Sequence, residues 1–139
     1  MAVAFDAVGA GNHGTSTSGI NWSHTVGASA TALVVAVGGY LNGSTGHASL
    51  TTHTVTVGTT PLSLLGIIDC NNATGSGWVE LWGLINPPTG AQTITVVEEV
   101  STTACSLYAN SVSYTGASSF GTPVVNSGSA STLTSGAIV

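Results

Sequence analysis

The sequence predicts an all-β protein, a sandwich or barrel of short strands, and three observations carry that reading. Thr, Ser, Val and Gly dominate the chain, while Glu, Lys, Gln and Arg, the good helix formers, are nearly missing. Short apolar stretches alternate with polar residues at period two. Turn-forming clusters such as GNHGTSTSG, NGSTGHAS, NNATGSG and NPPTG separate these stretches at short intervals. That spacing belongs to sandwiches and barrels.

Taken in order, strands are expected over residues 3–8, 20–26, 32–41, 50–57, 62–69, 78–85, 93–100 and 106–114, and a last one from Thr132. In NWSHTV, Trp22, His24 and Val26 share one face and Asn21, Ser23 and Thr25 the other. Val55 and Val57 oppose Thr54 and Thr56; Ile94 and Val96 oppose Thr93 and Thr95. The run ALVVAV is apolar on both faces, as suits a strand between two packed layers. NPPTG (residues 86–90) reads as a tight turn, because proline fixes φ and glycine supplies a positive one, and should join two antiparallel neighbours. Residues 117–131, rich in Gly, Ser and Thr, read as a long loop. No repeat divides the chain, so residues 1–139 are expected to form a single domain.

The chain has no lysine and no arginine, and its five acids are Asp6, Asp69, Glu80, Glu98 and Glu99. Without fixed cations it cannot neutralise a phosphate backbone, so no nucleic-acid partner is expected. Schiff-base lysines, P-loop lysines and arginine clamps are excluded as well. Stability must come from apolar burial and hydrogen bonds. The longest nearly apolar run, 31–41, is too short for a membrane helix, so no membrane insertion is expected. The start, MAVAFDAVG, has no basic segment of a secretory leader, so none is expected. Cys70 and Cys105 are far apart; they read as two buried thiols, with a disulfide between them the alternative.

The order FDAVG, WSHTVG, ALVVAVGG, VELWGLINPPTG, ITVV and VSYTGAS resembles a jelly-roll β-sandwich domain. That domain recurs in virion proteins of phages infecting mycobacteria and related actinobacteria, and in some bacterial surface proteins. The likeness rests on His24 and Thr25, on 33–37, on 80–90 and on 112–116. It implies an antiparallel, jelly-roll-like β-sandwich and a capsid decoration or minor tail role. It also implies further strands after the one at Thr132, so a neighbouring chain or residues beyond Val139 would complete the sandwich. Gly83 stands where the pattern usually has an aromatic, which should loosen packing there.

The chemistry-bearing residues are sparse. His13 and His47 fall in Gly/Ser-rich loops and should be exposed; His24 and His53 fall in strands and should be structural. No HxH or HExxH spacing supports a metal site, so no metal and no cofactor are expected. Glu98 and Glu99 are adjacent in a strand and point to opposite faces, which rules out an acid/base dyad between them. No GxSxG elbow marks a nucleophile, and no catalytic residue is expected. Trp78, Glu80 and Trp82 lie in a row on one face, a candidate sugar-stacking platform. The expected function is a non-enzymatic virion component, assembled in the host cytoplasm. It would act through interfaces with capsid or tail proteins and with copies of itself. The alternative is a carbohydrate-binding or adhesin module touching a host-surface glycan, with Trp22, Tyr40 and Tyr108 as further stacking candidates.

Overall fold

The computed structural model describes residues 2–16, 19–41, 46–69, 77–99 and 105–124. Their strands are β1 (Ala4–Val8), β2 (Asn12–Ser16), β3 (Ile20–Val26), β4 (Ala32–Tyr40), β5 (Thr52–Val57), β6 (Thr60–Pro61), β7 (Ser63–Asp69), β8 (Gly77–Ile85), β9 (Gly90–Glu99) and β10 (Cys105–Thr115). A 3₁₀ turn, Gly46–Ser49, precedes β5. The strands form two antiparallel sheets. One has the order β1-β10-β4-β8-β7, with β2 also on β10; the other has the order β3-β9-β5-β6.

The pairing is nested. β1 pairs β10, β3 pairs β9, β4 pairs β8 and β5 pairs β6. A long hairpin rolled so that β10 also meets β4, and β9 meets β5, has this wiring. The protein is therefore an antiparallel β-sandwich of jelly-roll topology. All eight positions of the roll are filled by described residues. The strand expected at Thr132 lies outside the described residues. Bulges at Phe5/Ala7 of β1 and Leu64/Gly66 of β7 break the pairing register on two edge strands, a device that disfavours edge-to-edge association.

Alternation decides what is buried. Along β3 burial is strict, with Ile20, Trp22, His24 and Val26 inward. Leu33, Val35 and Val37 of β4 meet Val55, Val57, Ile94 and Val96 of the facing sheet in one apolar core. Trp78 lies over Gly39, its cross-strand partner; a Cβ on Gly39 would collide with the indole. The absent side chain is what makes room for the largest one.

Four expectations need correction. β8 and β9 are not neighbours: NPPTG carries the chain from one sheet to the other. Asn86 has φ 53° and Gly90 φ 83°. With two prolines between them, the chain leaves the sheet instead of reversing within it. Strand β4 is not covered on both faces, because Ala36 and Tyr40 are exposed. Residues 12–16, read as loop, form β2; the sequence Asn-His-Gly-Thr-Ser has no apolar period to read. Gly83 does not loosen its surroundings, since the ring of Phe120 and the side chain of Leu65 pack where its side chain would be.

Candidate functional site

Trp78, Glu80 and Trp82 do share a face, but it is the inner one: all three are buried, Glu80 completely. They are no stacking platform, and Trp22 is buried too. Both faces of β8 are apolar, with Val79 and Leu81 on the other side, so alternation could not say which face turns outward.

What the row builds is a polar cluster between the sheets. His53 of β5 stands opposite Glu98 of β9, and both belong to the four-stranded sheet. Glu80 of β8 enters from the six-stranded sheet, and His47 from the 3₁₀ turn. His47 Nε2 is 2.8 Å and His53 Nδ1 3.7 Å from Glu80 Oε1. The two imidazoles meet edge to face at 4.8 Å, and Trp78 and Trp82 wall them at 6.3 and 5.8 Å. Trp82 Nε1–H donates to Glu80 Oε2 at 2.5 Å. The backbone N–H of His47 donates to Asp69 Oδ1 at 3.3 Å, tethering the turn. His47 is therefore no free loop residue; its side chain is 19% exposed.

Glu98 is also fully buried. Burial first, then the charge of Glu80, pushes its carboxyl up to about 9. Glu98 is thus held protonated at neutral pH. The Cys105 thiol is buried; burial and the charge of Glu98 push its pKa up, which makes it unreactive. Cys70 and any bond it makes lie outside the described residues. Glu98 and Glu99 do diverge, yet Glu98 meets an acid from the other sheet, which sequence spacing could not show.

A second polar group lies about 20 Å away along β9, six residues from Glu98 at 3.3 Å each. Trp22 Nε1–H donates to Ser111 Oγ at 2.9 Å. His24 joins Ser111 Oγ through Nδ1 at 2.7 Å and Ser113 Oγ through Nε2 at 3.0 Å. Ser113 Oγ–H donates to Asp6 Oδ2 at 2.6 Å, and so does the Gly27 N–H at 2.9 Å. With Ser111 accepting from Trp22 and Ser113 donating to Asp6, the network assigns His24 as neutral with its proton on Nε2. Burial holds its pKa down, in agreement. Ser111 and Ser113 are completely buried, so neither hydroxyl reaches a substrate.

The outer face of the six-stranded sheet carries a shallow trough. Ala36 and Gly38 form its floor, and Val79 and Tyr108, 49% and 64% exposed, form its sides. His13, exposed as expected but on β2, stacks on Tyr108 at 5.8 Å and 7°. Asn12 and Asn110 also line it, and no carboxylate is among its lining residues.

Among the described residues, the fold and these surfaces define a jelly-roll β-sandwich with two polar clusters inside and a trough without carboxylates outside. No family model, curated protein or solved structure matches the chain. The likeness to virion domains rests on the sequence motifs alone. Among the described residues no helix is long and apolar enough to cross a membrane.

Proposed function

We propose that this chain is a non-enzymatic structural component of a phage virion, a capsid decoration or minor tail protein. It works through contacts with capsid or tail proteins and with its own copies. The observation that carries the reading is the trough: Val79 and Tyr108 stand exposed over Ala36 and Gly38 on an uncharged sheet face. Exposed aromatic and apolar side chains around small ones suit a protein interface. The jelly roll is used by capsid proteins, which supports the reading by analogy only. Particles from the source organism would test it, by cryo-electron microscopy and by mass spectrometry after chymotryptic digestion, since trypsin has no lysine or arginine to cut at. Regular copies on the particle are expected; particles without the chain would overturn the reading.

A second reading is favoured by the Tyr108–His13 stack between Asn12 and Asn110. An aromatic face beside amides suits a sugar ring, so the trough would hold a host-envelope glycan. Retention of the chain on cell-wall polysaccharide, lost in Tyr108→Ala, would establish it.

A further inference from the structure

We propose that His47, His53 and Glu80 form a binding site for a divalent transition metal, with zinc the best match. His47 Nε2, His53 Nδ1 and Glu80 Oε1 all lie within 4.8 Å of one another. They come from the 3₁₀ turn, the four-stranded sheet and the six-stranded sheet, so no local sequence constraint brings them together.

Geometry comes first. Zinc bonds of about 2.0–2.2 Å to imidazole nitrogen and carboxylate oxygen place tetrahedral ligand atoms about 3.3–3.5 Å apart. The contacts to Glu80 Oε1, 2.8 and 3.7 Å, straddle that spacing. Small side-chain adjustments would bring all three atoms onto one ion. The three protein ligands would leave a fourth position for water, on the side where the histidines are 19% and 36% exposed.

Hydrogen bonding points the same way. His47 Nε2, His53 Nδ1 and Glu80 Oε1 are buried atoms that make no hydrogen bond, although two of them are 2.8 Å apart. Buried polar atoms are normally satisfied. Trp78 Nε1 is buried without a hydrogen bond too, but an indole N–H only donates and takes no part in coordination. The other oxygen of Glu80 is fixed by Trp82, leaving Oε1 directed at the histidines. An outer donor that orients a ligand in this way is a regular part of metal sites.

Charge completes the case. Glu80 is fully buried in a chain with no lysine or arginine, and the cationic partners its position offers are the two histidines beside it or a metal ion held between them. Two imidazoles and a carboxylate suit zinc better than calcium or magnesium, which take oxygen ligands.

The experiment uses the full chain made without a polyhistidine tag. It is loaded with Zn²⁺ or Co²⁺, dialysed, and assayed for bound metal, for the visible absorption of four-coordinate cobalt, and for histidine ¹⁵N shifts. One metal per chain is expected, with His47 ligated through Nε2 and His53 through Nδ1. His47→Gln and His53→Gln should abolish binding, while His13→Gln should not change it. Trp82→Phe should weaken binding by about 10–100-fold, the range for an outer donor. A folded wild-type chain that retains neither metal would overturn the proposal. So would ¹⁵N shifts unchanged by zinc, a readout that does not depend on any variant folding. Metal retained by the double variant His47→Gln/His53→Gln would overturn it as well.

Discussion

The two polar clusters are built from the same kinds of residue and end in opposite states. Around His24, each nitrogen and hydroxyl has a partner, and the chain of protons runs in one direction from Trp22 to Asp6. Around Glu80, buried nitrogen and oxygen atoms face one another without hydrogen bonds. The His24 network joins β3 to β10 and β1 across the two sheets, and it needs nothing more. The Glu80 cluster joins both sheets to a turn and has a carboxylate whose charge nothing fixed can balance. A buried histidine is therefore not one signal: its partners decide whether it is a pin or a ligand.

Breaking the saturated cluster should have the largest effect. His24→Ala removes a fully buried side chain and takes one hydrogen bond each from Ser111 and Ser113. A loss of about 3–5 kcal/mol is expected in urea unfolding, the cost of a cavity together with unsatisfied polar groups.

The unsaturated cluster should respond with the opposite sign. Glu80→Gln, measured under chelator near pH 8, removes a buried carboxyl that no lysine or arginine balances and keeps an acceptor for Trp82. A gain of about 1 kcal/mol is expected, as when a buried charge is replaced by a neutral group. A loss comparable to that of His24→Ala would mean that Glu80 is a structural pin after all.

Acid should weaken the His24 network. Burial holds His24 below its ordinary 6.5. The Ser113 hydroxyl and then the Gly27 amide hold Asp6 below 3.8. Both pKa values are depressed on folding, so the unfolded chain binds more protons. The stability they confer is present above those ordinary values and is lost as pH falls through the folded ones. Melting temperature should therefore drop first below pH 6.5 and again below pH 3.8. His24→Gln should flatten the first drop; an unchanged profile would place the responsible group elsewhere.

Substitution outside both clusters should matter least. Tyr108→Ala is expected to change stability by no more than about 0.5 kcal/mol, as for an exposed side chain. The same variant should lose whatever the trough binds.

Much of the fold was legible because period-two alternation is a local property. Ile20–Val26 was read to the residue, and the divergence of Glu98 and Glu99 followed from the pleat alone. The candidate site was less legible. Alternation put Trp78, Glu80 and Trp82 on one face without saying which, because the opposite face of β8 is apolar too. His47 looked like loop because its partner is distant in sequence and lies in the other half of the hairpin roll.

Composition and alternation by themselves determined that this protein is all-β, that it holds together without side-chain ion pairs to lysine or arginine, and where most strands run. These properties depend on the residue types present and on neighbours one or two positions apart. Only the tertiary structure decided that NPPTG crosses between sheets, that the tryptophans face inward, and that His47, His53 and Glu80 converge. Those outcomes depend on which of two faces each sheet turns to the other, and on which strands the roll brings side by side. A pattern that repeats every second residue contains no information about either choice.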